Sequence, residues 1–288
     1  MVRCTFVQNP EMDTLRALQN FTDKLKIRKE LAPLLFIGHG SPMNGIGQNS
    51  FSDSWELIGR NVELPAAALV VSAHWLSRGT FVTAMNHPKT IHDFAGFPEA
   101  LYAVEYPAPG DPLLAQEIQS IVSKTNVGLD HDWGLDHGAW TVVRHIFPEA
   151  NIPVLQLSID YHKPASYHYA LAKELQSLRR KGVMIIGSGN IIHNLRLVDW
   201  QKLNAENYGY DWAIELNELF KNKILHREHD ALINYTDLSK AALLAVPTPD
   251  HYYPLLYTLA LQSDNEETVF FNDELVGGSL NMTSVLYA

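Results

Sequence analysis

LLFIGHGSP, residues 34–42, sets four consecutive large apolar residues directly before a glycine, a histidine and a Gly-Ser-Pro turn. An aliphatic run of that length without polar alternation reads as a β-strand buried on both faces, and the turn residues end it. His39 therefore stands at the carboxyl end of a strand. Runs of the same kind occur at 67–72, 152–158, 183–186 and 269–271. His74 follows the first of these in ALVVSAHW (68–75), and His193 follows the third in VMIIGSGNIIHNL (183–195). Between the runs lie helical patterns. Pro112 opens one over 112–123, and 164–180 sets Tyr167, Ala170, Leu171, Leu175 and Leu178 at helical intervals before Gly182. Strands and helices in alternation predict an α/β fold: a single domain with α/β/α layers around a central, mostly parallel or mixed sheet. In such sheets ligands bind outside the strand carboxyl ends, where these histidines fall. The stretch 197–238, rich in Trp, Asn, Asp and Glu, reads as helices and loops on the outside.

Composition sets the class. At 288 residues, 46% hydrophobic and 19% charged, the chain is long enough for a large core, and disorder is excluded. A formal net charge of -10 gives no footprint for nucleic acid or an anionic membrane, so a small-molecule substrate is the expectation. Cys4 is the only cysteine, which rules out an internal disulfide framework. No apolar run reaches the roughly 18 residues of a membrane-spanning helix. Residues 1–32 contain an amphipathic stretch at 14–25 but no secretory pattern, so a helical extension and a cytoplasmic location are expected.

A fourth histidine, His251 in AVPTPDHYYPL, lies in a loop stiffened by Pro247, Pro249 and Pro254. Neutral imidazole is the commonest protein ligand for zinc and serves ferrous iron equally, so His39, His74, His193 and His251 together predict a metal centre at strand ends. The spacing is not that of HExxH, and the chain has no CxxC pair, no GxSxG elbow and no phosphate loop. Ser41 and Ser188 read as hydrogen-bonding residues that aim His39 and His193. His92, His131 and His137 have glycine and aromatic neighbours that suggest pocket walls. His87, His145, His162, His168, His226 and His229 read as surface or packing residues.

GHGSPMN (38–44), VVSAHW (70–75), TIHDFAGFPEALY (90–102), YPAPGDP (106–112), GLDHGAW (134–140), IPVLQLSID (152–160), GSGNIIHNLR (187–196) and PTPDHYYPLLY (247–257) occur in unbroken order. With these motifs the chain resembles the 4,5-DOPA extradiol dioxygenase family, a branch of the class III extradiol dioxygenases that include the protocatechuate 4,5-dioxygenase catalytic subunit. The resemblance covers about residues 33–288, which it implies form the catalytic domain. It implies ring opening of a catechol beside one hydroxyl with both atoms of dioxygen, at a non-haem ferrous centre that zinc can also occupy. Redox-inert zinc can organise such a site but cannot pass an electron, whereas ferrous iron can.

His39 and His74 match the family's metal-binding histidines, and His251 stands where protocatechuate-type relatives carry a glutamate ligand. His193 matches the acid/base of those relatives, yet is counted as a ligand in DOPA-type members. His193 and His137 are the catalytic candidates. Asp93, Asp136 and Asp250, each beside a histidine, are candidates to receive an imidazole N–H. Trp75, His92, Phe97 and Tyr252, with Tyr102 and Trp133, are expected as walls for a flat substrate. A zinc-dependent hydrolase using the same histidines is the alternative.

Overall fold

Six strands form the central sheet: β1 (Leu34–Gly38), β2 (Ala67–Ser72), β3 (Val154–Gln156), β4 (Val183–Gly189), β5 (Thr268–Phe271) and β6 (Ser284–Tyr287). Their spatial order is β5-β6-β1-β4-β2-β3. The four strands from β1 to β3 run parallel, β6 pairs antiparallel with β1 at one edge, and β5 pairs antiparallel with β6. The sheet is mixed, as the apolar runs suggest. The computed structural model describes residues 31–288 together with Leu18. The amphipathic stretch at 14–25 lies outside the described residues apart from Leu18, which is helical and wholly buried.

Alternate residues of each strand enter opposite cores, because successive side chains of a strand point to opposite faces. Leu34, Phe36, Leu69, Val71 and Ile185 join Ile118, Leu171, Phe220 and Leu255. Leu35, Ile37, Val70 and Ile186 join Trp55, Ile58, Trp140 and Val143 on the other face. The helices supplying these partners are α1 (Ser50–Asn61), α2 (Pro112–Ile121), α3 (His137–Ile146), α4 (Ala165–Lys173), α5 (Asp211–Leu225) and α6 (Tyr253–Leu261). That is the α/β/α layering read from the unalternated strands. Full burial of each such side chain contributes about 1.5–3 kcal/mol.

Helix boundaries follow local chemistry. Asn49 and Ser52 form a reciprocal capping box on α1, while Asp111 caps α2 with Pro112 in its first turn. The single helix expected over 164–180 is broken. Ala165–Lys173 ends, and a second short helix runs over Gln176–Arg180. Two tertiary pulls account for the break. The Glu174 carboxylate accepts the backbone N–H groups of Ser123 and Lys124 at 2.6 and 2.9 Å. Arg179 turns inward to Glu266 and donates to the Ala32 and Leu261 carbonyls at 2.9 and 2.7 Å. The run at 152–158 likewise forms a strand only over Val154–Gln156.

Two glycines let the site close up. A Cβ on Gly189 would lie 2.1 Å from the His251 carbonyl oxygen. A Cβ on Gly138 would lie 2.5 Å from Ser72 Oγ and 2.8 Å from the His74 ring. Among the described residues no helix is long and apolar enough to cross a membrane.

Candidate metal centre

β1, β4 and β2 are neighbours in the sheet, so the chain segments leaving their carboxyl ends converge. The His39 N–H donates to the Gly189 carbonyl at 3.1 Å, and the Asn190 N–H donates to the His251 carbonyl at 2.9 Å. The end of β4 thus holds His39 on one side and His251 on the other. His74 arrives two residues past β2, where its backbone N–H donates to Ser72 Oγ at 3.2 Å.

The donor atoms of His39, His74 and His251 lie within 4.8 Å of one another. Which ring nitrogen of each is free follows from its partner. Ser188 Oγ donates to the Gly138 carbonyl at 2.5 Å, so toward His39 Nδ1, 3.0 Å away, it can only accept. His39 therefore carries its proton on Nδ1 and keeps the Nε2 lone pair. His74 turns Nδ1 toward the Asp93 carboxylate at 3.6 Å, and His251 Nδ1 is bonded to Asp250. The tautomers inferred for His74 and His251 are the same: proton on Nδ1, lone pair on Nε2. His39 Nε2 and His74 Nε2 face each other at 3.0 Å. Two lone pairs at that distance repel, and a cation between them removes the repulsion. Two nitrogens each about 2.1 Å from one ion lie about 3.0 Å apart at an octahedral angle and about 3.4 Å apart at a tetrahedral one, close to the spacing found. The three histidines fit a divalent metal.

Electrostatics agree. Burial, and then the neighbouring imidazoles, hold His39 and His74 well below the usual imidazole range, so both stay neutral, the state that metal binding would require. Burial works against the Asp250 carboxylate, but the hydrogen bond from His251 and its electrostatic pull keep it ionised. Asp93 follows the same pattern, with His137 as the opposing partner.

The structure reassigns two of the three aspartates considered from sequence. Asp250 does serve the adjacent His251. Asp93 serves not its neighbour His92 but His137, accepting from Nδ1 and from the backbone N–H, both at 2.9 Å. Asp136 serves no imidazole. It caps α3 through Ala139 N and binds Ser72 Oγ at 2.6 Å and Gln156 Nε2 at 2.7 Å. Its burial, and then the charge of Asp93, raise its pKa.

His193 belongs to a separate group with Asp250 and His251, not to the group of His39 and His74. Its ring stacks on His251 with centroids 3.5 Å apart and planes 8° apart. Burial, then electrostatic interaction with the His251 imidazole, push its pKa down to about 3. His137 packs against His74, its ring centroid 3.8 Å from that of His74.

Of the expected aromatic walls, Trp75 stacks on Trp133 at 5.5 Å. Phe97 packs against Phe94 at 5.3 Å, and Phe94 in turn meets His137 edge-on at 5.6 Å. Phe94 was not among the expected residues, although it adjoins Asp93 in the TIHDFAGF motif. His92 donates its Nε2–H to the Val104 carbonyl at 2.9 Å and packs among Phe94, Tyr102 and Trp140. Tyr252 is a correction. It is wholly buried, donates its hydroxyl to the Leu232 carbonyl at 2.8 Å and packs on Phe220 and Tyr235, so it is core rather than wall.

Residues 33–279 match the family model described as the catalytic LigB subunit of aromatic ring-opening dioxygenase. The chain is 45% identical over 257 residues to 4,5-DOPA dioxygenase extradiol of Escherichia coli K12, covering 88% of this chain and 93% of that protein. It is 33% identical to the protein of the same name from Beta vulgaris, over 86% of this chain and 94% of the other. The crystal structure of an uncharacterized protein, JW3007, from Escherichia coli K12 superposes with a TM-score of 0.77 at 40% identity, covering 89% of this chain and all of that one. The chain belongs to the family of catalytic LigB subunits of aromatic ring-opening dioxygenases.

Proposed function

We propose that this enzyme opens the ring of a DOPA-like catechol beside one hydroxyl, with His39, His74 and His251 as the metal ligands and ferrous iron as the active metal. Residues 33–288 are the catalytic unit in this reading. The observation that carries it is the inward convergence of three imidazoles, two of whose lone pairs stand 3.0 Å apart. Ferrous iron would supply a centre for both the catecholate and dioxygen and the electron transfer that zinc cannot provide. An all-histidine set leaves the metal its full double positive charge, which favours an ionised catechol over a neutral one.

The remaining residues act on the substrate and its protons. His193 is the acid/base in this proposal, not a fourth ligand. Its place outside the convergent group of His39, His74 and His251 supports that role, as does the absence of a hydrogen bond to its ring among the described residues. Its lowered pKa keeps it neutral, and the negative charge of a bound catecholate would push that pKa back up toward the range in which it accepts a proton. His137, oriented by Asp93, is the second proton-handling candidate. Phe94 and Phe97 on one side and the Trp75–Trp133 stack on another supply flat apolar surface for an aromatic ring. The hydrolase alternative lacks its general base. Among the described residues the carboxylates grouped with these histidines are Asp93 and Asp250, and each is held by an imidazole N–H.

Anaerobic reconstitution with ferrous iron, followed by L-DOPA or catechol in air, tests the reading. Dioxygen uptake with a coloured ring-opened product, lost in His39→Ala and His74→Ala, is expected. No uptake by iron-loaded protein with any catechol would overturn it.

A further inference from the structure

Asn190 sits where the chain leaves β4, between the backbone contacts that hold His39 and His251. It is 1% exposed. Its side-chain amide is fixed in orientation: Nδ2 donates to the Asn281 backbone carbonyl, which can only accept, so the oxygen faces the other way. Asn281 is itself held, accepting from Ile192 N at 2.9 Å and donating to Asn217 Oδ1 at 3.0 Å. The Asn190 side-chain oxygen is buried and has no hydrogen-bond partner among the described residues. A buried acceptor without a donor is a standing cost that a bound donor removes.

The reading of the site as a catechol pocket supplies such a donor, and the inference rests on that reading. A phenol ionises near pH 10, and a metal lowers this for one hydroxyl. The second hydroxyl, beside a new negative charge, ionises less readily and keeps its proton. We propose that Asn190 is a substrate-positioning residue whose side-chain oxygen accepts the hydrogen bond of that retained hydroxyl. An amide oxygen suits the task because it holds the proton without taking it. The site thereby selects aromatic diols with a free second hydroxyl over their O-methylated counterparts.

The test uses zinc-loaded protein, in which binding is read without turnover, and titrates catechol and 2-methoxyphenol by calorimetry. Asn190→Ala is expected to weaken catechol on the order of tenfold and to leave 2-methoxyphenol within about twofold. Asn190→Asp keeps an acceptor oxygen while losing the donor to Asn281, and is expected to retain the preference for catechol. Equal weakening of both ligands in Asn190→Ala, or loss of the preference in Asn190→Asp, would reveal a structural role and overturn the inference. Catechol binding that Asn190→Ala leaves intact overturns this inference alone. Failure of zinc-loaded wild type to bind catechol at all overturns the ring-opening reading with it.

Discussion

Replacing Ser188 with alanine isolates the tautomer argument, because this hydroxyl touches no substrate and yet decides which His39 nitrogen is free. Ser188 is wholly buried, donates to Gly138 O at 2.5 Å and accepts from His39 Nδ1 at 3.0 Å. Without it two outcomes are open to His39. The ring can keep its proton on Nδ1, leaving a buried N–H unpaired at a cost of about 1–3 kcal/mol. Or the proton can move to Nε2, where it bonds the His74 nitrogen 3.0 Å away and removes a ligand atom from the metal. Both routes weaken metal binding. Loss of such a supporting hydrogen bond typically lowers affinity about 10- to 100-fold, or about 1.4–2.8 kcal/mol. Competition for zinc against a chromophoric chelator, with thermal unfolding of the metal-free protein as the folding control, measures it directly. A Ser188→Ala protein with a wild-type midpoint that binds zinc within about twofold of wild type would refute the reasoning.

Gly138→Ala puts a methyl 2.5 Å from Ser72 Oγ and 2.8 Å from the His74 ring, so about 1–3 kcal/mol of stability and part of the zinc affinity should be lost together. Wild-type chemical unfolding with normal zinc binding would count against it. His168 is buried against Tyr257, and burial lowers its pKa from 6.5 to about 4. The folded state then binds fewer protons than the unfolded one in that window, so stability declines as pH falls from about 6.5 to about 4, by about 3 kcal/mol in all. Urea midpoints of a His168→Phe variant should show a shallower acid slope than wild type over this range, and identical slopes would reject the assignment. Glu266→Ala strands the fully buried Arg179 guanidinium with only carbonyl partners, and denaturant titration should register a loss of about 3–5 kcal/mol. A loss below about 1 kcal/mol would mean that the pair is solvated in solution.

What the sequence determined by itself is what local chemistry controls. Leu34, Leu35, Phe36 and Ile37 carry no polar face, so the segment must be covered on both sides, and the layered sheet follows from several such runs. Gly38 and Pro42 fix where the first strand stops, and the residue types of His39, His74 and His251 already carry the metal chemistry. The family motifs were equally legible, since they are contiguous. Partner choice was not. Asp93 beside His92 and Asp136 beside His137 look like ready pairs along the chain, yet Asp93 crosses 44 positions to His137 and Asp136 turns to Ser72, 64 positions away. Tyr252 adjoins the proposed ligand His251 in sequence and points into the core in space, where its place at the N-cap of α6 sets it against Phe220 and Tyr235. Which lone pair of His39 faces inward depended on Ser188 and Gly138: Ser188 reaches His39 because β1 lies beside β4 in the sheet, and it reaches Gly138 because α3 packs over that end. Hydrogen-bond pairing acts over about 3 Å, and only the sheet order decides which residues come that close.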